Sequence, residues 1–92
     1  MRYTLVVTAS FERRLTRFRR LHPELRARLA RLFVNLEADP FAPQLRLHAL
    51  QGDLAGLHAV WLTQSYRVTL TLRLTEQEIV LLDIGTHDEV YR

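Results

Sequence analysis

Apolar residues recur with a helical period in the first part of the chain and with a strand period in the second, and the change falls after Pro43. Residues 2–8 are rich in β-branched and aromatic side chains and predict a strand. The next segment predicts a helix that is capped by Ser10 and ends near Arg20, because its apolar residues recur every three or four positions. Those residues are Phe11, Leu15 and Phe18.

A second amphipathic helix is predicted between Pro23 and Asp39. Pro23 suits the first position of a helix, and Asp39-Pro40 ends the periodic pattern. The short break between the two helices, Leu21-His22-Pro23, predicts a helical hairpin. The second helix presents one continuous apolar face. That face consists of Leu25, Leu29, Leu32, Phe33 and Leu36.

Three or four further strands are predicted after the hairpin. Residues 45–48 and 66–74 alternate between apolar and polar side chains, and residues 58–63 have a strand-like composition. Residues 78–84 form an almost continuous apolar run, which is typical of a strand covered on both faces inside a sheet. Short turns between these segments indicate antiparallel hairpins. We therefore predict an α+β fold: an N-terminal strand, a helical hairpin and an antiparallel sheet of three to four further strands, with the helices packed on one sheet face.

The bulk composition fits one globular domain over residues 1–92. The absence of cysteine excludes a disulfide framework and a thiolate metal site. The apolar stretch Leu5-Val6-Val7 is too short for a signal peptide or a membrane span. We therefore expect a cytoplasmic protein with no membrane partner.

All 13 basic residues are arginine, and most of them lie in the first part of the chain. Residues 1–40 hold nine arginines against four acids, a net charge of +5, whereas residues 41–92 hold four arginines against six acids, a net charge of −2. Guanidinium groups bind phosphate and carboxylate in bidentate fashion, so the first part favours partners of that kind. A GC-rich coding sequence explains the missing lysine equally well, but it does not explain the asymmetry.

Two histidines and one arginine are the candidate catalytic residues. His87 lies just beyond the apolar run, where a buried strand would hold it rigidly while it reaches solvent. Arg67 lies on the polar face of residues 66–74, and His48 lies in a polar loop. Histidine donates or accepts a proton near neutral pH, so this combination suits a site that cleaves RNA.

Each of these three residues also has an ordinary structural interpretation. His87 is equally a candidate helix cap or surface residue. Arg67 is a candidate ion-pair partner of Asp83 or Glu78. His48 is a candidate loop residue with no role in chemistry. The spacing of these residues alone does not decide between the two kinds of interpretation.

Other side chains near these positions suggest contacts with a substrate. Arg46 lies two residues before His48 and forms with it a candidate phosphate-facing patch. Tyr91 is predicted either to stack on a base or to anchor the C-terminus to the sheet. Trp61 is interpreted as a core residue rather than a base-stacking platform. The histidine spacing does not match a metal-binding motif, and no glycine-flanked serine supports a Ser-His-Asp site.

Three segments of the chain resemble the RelE/ParE superfamily of toxin–antitoxin toxins. The resemblance covers essentially the whole chain, including the order of its elements, and it is strongest to the YafQ and YoeB branches. The three segments are residues 48–56 (His-Ala-Leu-Gln-Gly-Asp-Leu-Ala-Gly), Tyr66-Arg67-Val68 and Ile84-Gly85-Thr86-His87.

The resemblance implies an mRNA endoribonuclease that acts in the ribosomal A site, is neutralised by a cognate antitoxin and needs no metal or cofactor. It implies that His87 is the general acid for the leaving 5′ oxygen and that Arg67 stabilises charge on the scissile phosphate. His48 is then the candidate base for the 2′-OH. The predicted substrate contacts are Arg46, Arg73 and Tyr91.

Two alternatives from other functional classes stay open. A ParE-like toxin would bind DNA gyrase without catalysing a reaction, and a degenerate toxin would retain only antitoxin binding. ParE-like chains lack the acid–base set, so the presence of His48, Arg67 and His87 favours the nuclease.

Overall fold

The computed structural model describes residues 2–91. It contains a five-stranded sheet with two long helices packed against one face. The α+β fold predicted from the sequence is confirmed. The strands are β1 (Thr4–Val7), β2 (His48–Ala49), β3 (His58–Trp61), β4 (Tyr66–Arg73) and β5 (Glu78–Thr86). The helices are α1 (Ala9–Leu21), α2 (Arg26–Ala38) and α3 (His87–Val90).

The strands are arranged in the order β1-β5-β4-β3-β2. The four strands after the helical hairpin pair as antiparallel neighbours, as predicted. β1 instead pairs in parallel with β5, with Thr4 opposite Glu78. A parallel pair needs a long connection, which the chain from α1 to β4 supplies. The sheet is therefore mixed, and β5 lies between β1 and β4, which explains why its apolar run does not alternate cleanly.

α1 begins earlier than predicted, and its cap is Thr8 rather than Ser10. The Thr8 backbone is extended (φ −82°, ψ 156°), and its hydroxyl accepts a hydrogen bond from the Phe11 N–H at 3.1 Å. Ser10 lies inside the first turn, because the chain enters the helix as soon as β1 ends at Val7. The predicted apolar stripe is confirmed, since all three of its residues are buried: Phe11, Leu15 and Phe18.

α2 begins later than predicted, because the segment after the hairpin break forms a separate 3₁₀ turn, Pro23–Leu25. The predicted end is confirmed, since Asp39 has an extended backbone. The buried part of the predicted apolar face of α2 is Leu29, Leu32 and Leu36.

Among residues 2–91, no helix combines the length and the apolar character that a membrane crossing needs.

The two faces of the sheet have different environments. Val68 on β4 and Ile84 on β5 are neighbours in register, and both are buried in the core beneath the helices. Arg67 and Gly85, one position along, are also neighbours in register. Because side chains alternate along a strand, Arg67 and Gly85 lie on the sheet face away from α1 and α2.

His87–Val90 form a one-turn helix, α3, that was not predicted from the sequence. Thr86 Oγ1 accepts from the Glu89 N–H at 3.3 Å, and Glu89 Oε1 accepts from the Thr86 N–H at 2.8 Å, which makes a reciprocal capping box. Gly85 allows this close approach, because an added Cβ would lie 3.0 Å from Glu89 Oε1. Val90 is buried, and α3 contacts β4 and β5.

Glu89→Ala is expected to release α3, because the Thr86 N–H loses its carboxylate acceptor. The expected cost is about 1 kcal/mol of stability, typical of a lost N-terminal cap. The Tyr91 N–H, which donates to the His87 carbonyl at 3.1 Å, should also lose its protection from hydrogen exchange. Urea unfolding and amide exchange measure the two effects, and Glu89→Gln should retain both properties because its amide oxygen still accepts.

Asp88→Ala is the matched control for Glu89→Ala. It removes a carboxylate from the same turn, but the Asp88 side chain is 94% exposed and takes no part in the capping box. Unchanged protection of the Tyr91 amide in Glu89→Ala would contradict the proposed dependence of α3 on its cap.

Candidate active site

Three segments that are far apart in the sequence meet on the sheet face away from α1 and α2. They are the segment that enters β2, the β3–β4 hairpin, and α3 with the residue after it. Each contributes side chains that are candidate site residues in the sequence. The residues brought together are Arg46, His48, Arg67, His87 and Tyr91.

Arg67 is a buried cation, with only 8% of its surface exposed. Its Nη1 donates to the carbonyl oxygens of Thr63 and Gln64, each at 2.9 Å, and of Tyr66 at 3.2 Å. These carbonyls belong to the turn between β3 and β4 and to the first residue of β4. The guanidinium therefore closes the hairpin and is held in place by it.

The exposed ion pair considered for Arg67 does not form. Asp83 pairs with Arg14 on α1 at 3.1 Å, and Glu78 pairs with Arg73 at 3.4 Å. The Arg67 side chain is directed to the β3–β4 turn instead, where backbone carbonyls satisfy it. The interpretation of Arg67 as a solvated surface arginine is therefore wrong.

Trp61 lies beside the buried cation and outside the core cluster. It is the neighbour of Arg67 in register across β3 and β4, and it is half-buried. The Arg67 Cζ lies 4.1 Å and the Arg46 Cζ 4.3 Å from the Trp61 ring centroid, which are cation–π distances. The prediction of a core tryptophan is wrong, because the alternation along β3 puts Val60 into the core.

The backbone of Arg46 forms a turn, and its carbonyl is hydrogen-bonded to the Nδ1 atom of His48. Arg46 has a left-handed backbone (φ 52°, ψ 43°), which is uncommon for a residue other than glycine. The extended conformation predicted for residues 45–48 is therefore wrong at Arg46, and β2 begins only at His48. The Arg46 carbonyl accepts a hydrogen bond from His48 Nδ1 at 2.9 Å. A carbonyl cannot donate, so in the neutral ring Nδ1 carries the proton and Nε2 is the basic atom.

The Tyr91 phenol links the three segments. Its oxygen lies 2.8 Å from His48 Nε2, and its ring meets the His87 ring edge to face, with centroids 4.1 Å apart. Burial raises the pKa of Tyr91 above its ordinary value, while the positive charge of Arg67 and its hydrogen bond to the phenol act in the opposite direction. The phenol is therefore protonated at neutral pH and donates to His48 Nε2.

His87 is exposed at the surface of the cluster. It occupies the first position of α3, and 63% of its side chain is exposed. Its Nδ1 lies 3.5 Å from the exposed carboxylate of Asp88. Because the ring packs on Tyr91 and also reaches solvent, His87 can exchange a proton with a molecule bound over the cluster.

Arg73 is not brought to this cluster. It lies at the opposite end of β4 from Arg67, about 20 Å away along an extended strand, where it pairs with Glu78. The other two histidines are also elsewhere: His22 stacks on aromatic rings of α1 and β4, and His58 lies on β3. Within the described residues, no three metal-ligating side chains come together.

Two parts of the site were missed at the level of sequence. Thr86 and Glu89 have the spacing of a capping box, so the sequence did contain a signal for the helix that carries His87. The contact of Arg46 and Arg67 with Trp61 had no such signal, because it depends on the β3–β4 register and on the left-handed backbone of Arg46.

The arrangement places a basic imidazole nitrogen, a protonated phenol, an accessible imidazole and a fixed cation side by side. Such a set can take a proton from one oxygen, give a proton to another and stabilise negative charge that develops between them. This is the chemistry of transfer at a phosphate or acyl centre.

No protein-family model matches the chain, and no curated protein matches its sequence. Solved structures do resemble it. The YoeB/ParE toxin from Agrobacterium tumefaciens has a TM-score of 0.76 at 23% identity, over 91% of this chain and 98% of that one. A chain of the RelBE2 toxin–antitoxin complex from Mycobacterium tuberculosis has a TM-score of 0.75 at 22% identity, over 95% and 100% of the two chains.

YafQ from E. coli extends this likeness to another of the branches that the sequence resembles. Its TM-score is 0.72 at 14% identity, over 98% of this chain and 99% of that one. The chain therefore has the fold of the RelE/ParE superfamily of toxins, as its sequence resemblance predicted.

Proposed function

We propose that this protein is the toxin of a toxin–antitoxin module and that it cleaves mRNA on the ribosome, in the cytoplasm. Cleavage would proceed by attack of the 2′-OH on the adjacent phosphate and would leave a 2′,3′-cyclic phosphate and a 5′-OH. The proposed groups are all side chains of the protein, with no metal or cofactor in the reaction.

The observation that carries this proposal is the contact of His48, Arg67 and His87 with one residue, Tyr91. Attack by a 2′-OH needs a base for that hydroxyl, an acid for the leaving oxygen and a cation for the phosphate. The three residues are of these types, and they come from different parts of the chain. A purely structural role for each of them would not require this meeting point.

His48 is the proposed general base. Its proton on Nδ1 is held by the Arg46 carbonyl, which leaves Nε2 as the atom that accepts a proton. The Tyr91 phenol donates to that atom in the structure. Substrate binding would exchange this donor for the 2′-OH of the RNA, which is also a neutral hydroxyl.

His87 is the proposed general acid, and Arg67 is the proposed phosphate-stabilising cation. His87 is exposed on the turn that also carries Tyr91, so it can approach the leaving 5′ oxygen. The carbonyl contacts of Arg67 fix its position before substrate binds, and a preorganised cation stabilises developing charge without reorganising. Arg46 and Tyr91 are the proposed further contacts to the RNA.

A cognate antitoxin is the proposed protein partner. Two of the similar structures are of toxin–antitoxin complexes: RelBE2 from Mycobacterium tuberculosis and DinJ-YafQ from E. coli. Both share the fold with this chain, and this likeness supports an antitoxin as its partner.

His87→Ala is expected to abolish growth arrest on induced expression and to reduce mRNA cleavage by about 100-fold or more, the usual contribution of a general acid. Growth and primer extension on ribosome-bound mRNA measure the two effects. His22→Gln is the control, because His22 is a histidine outside the cluster.

The outcome of the His87 experiment also separates the alternatives. Growth arrest without mRNA cleavage, unaffected by His87→Ala, would contradict the nuclease and favour a non-catalytic toxin that binds gyrase. Absence of arrest with a folded, expressed wild-type chain would contradict an active toxin and favour one that retains only antitoxin binding.

Arg67→Ala is expected to reduce cleavage by about 100-fold or more, as the loss of a charge-stabilising donor does, whereas Arg73→Ala should retain it. The two arginines lie on the same strand, but only Arg67 belongs to the cluster. Thermal unfolding must accompany the assay, because Arg67 also closes the β3–β4 turn. A loss of cleavage in folded Arg73→Ala would restore that residue as a substrate contact.

A further inference from the structure

We propose that a groove between α2 and Trp61 binds the phosphate backbone of single-stranded RNA beside the candidate active site. The proposal rests on the proposed function in that the RNA is the strand to be cleaved. It adds a second contact surface to that function, on residues that the site chemistry does not use.

The groove has a volume of about 300 Å³ and lies at the edge of the sheet beside β3. Arg28, Arg31 and Asn35 recur on one face of α2 and form one wall. Gln44, Trp61 and leucine side chains also line the groove. The residue types are those that bind nucleic-acid strands: guanidinium groups for phosphate, amides for hydrogen bonds and an aromatic ring.

The charge of the groove is not neutralised by the protein itself. None of its lining residues is acidic. Within the described part of the chain, neither Arg28 nor Arg31 forms an ion pair or a hydrogen bond, and both are exposed. Two unpaired guanidinium groups on adjacent turns of one helix favour a polyanion over a neutral partner.

The groove is continuous with the candidate active site through Trp61. This residue lines the groove, and its ring lies against both Arg46 and Arg67. An RNA strand with its scissile phosphate near Arg67 would therefore pass Trp61 and enter the groove. Phosphate contacts of this kind position a strand without reading its sequence.

A second basic depression lies on α1, and no residue of the candidate active site lines it. It has a volume of about 330 Å³ and is lined by Ser10, Arg13, Arg14 and Arg17. No hydrogen bond, ion pair or ring contact joins these residues to the cluster, and Arg14 is paired with Asp83. Arg13 and Arg17 therefore provide a control with the same change in charge at a different place.

The test compares RNA binding by the wild type, Arg28→Ala/Arg31→Ala and Arg13→Ala/Arg17→Ala. The probe is a fluorescent single-stranded RNA with 2′-O-methyl groups throughout, which has no 2′-OH to attack and is not cleaved. Fluorescence anisotropy gives the dissociation constant over a series of salt concentrations, and circular dichroism verifies that each variant is folded.

We expect the Arg28→Ala/Arg31→Ala variant to bind the RNA more weakly than the wild type. The slope of log K against log salt should also become less steep by about 1.4, because each phosphate contact to a single strand contributes about 0.7. The α1 pair should retain the wild-type slope. An equal loss of RNA affinity in the two double variants, or no binding of the probe by the wild type, would overturn the proposal of an RNA-binding groove.

The result is distinguishable from the outcome for the proposed function. If RNA binding depends on Arg28 and Arg31 but the wild type does not cleave mRNA, the proposed RNA-binding groove is supported and the proposed nuclease activity is overturned. Cleavage that depends on His87, with an unchanged slope in the α2 pair, would overturn the groove and leave the nuclease in place.

Discussion

The buried guanidinium of Arg67 is the interaction on which the rest of the site depends. A charge with so little exposure is costly unless its donors find acceptors, and three backbone carbonyls at the β3–β4 turn supply them. The same group lies against Trp61 and reaches the phenol of Tyr91. The Arg67 side chain thus closes the β3–β4 hairpin and packs against Trp61, which the site shares with the α2 groove. It also contacts Tyr91, whose phenol is hydrogen-bonded to His48.

The other half of the site lies on an element with little stability of its own. A helix of one turn does not persist in water by itself, because nucleation costs more than a few hydrogen bonds return. α3 is ordered by its capping box and by the burial of Val90. Elements of this kind open at low free-energy cost. In the proposed reaction, that property would allow Tyr91 to release its hydrogen bond to His48 when an RNA hydroxyl takes its place.

The asymmetry of charge along the chain becomes a spatial asymmetry in the fold. In the second part of the chain, carboxylates such as Asp83 and Glu78 are paired with arginines, so they cancel charge locally. The arginines on the outer faces of α1 and α2 have few such partners among the described residues. What distinguishes α2 is not its charge but its position beside Trp61.

The sequence by itself determined the α+β architecture, the buried stripes of both long helices and the interior position of β5, because these follow from periodicities that each segment carries within itself. It also indicated His48, Arg67 and His87 as candidate catalytic residues, although an exposed ion pair was the alternative interpretation of Arg67. Only the tertiary structure decided which side chains meet. The burial of Arg67 and the place of Trp61 depend on strand register and on the fold-back of α3, and such contacts between distant segments leave no local pattern in the chain.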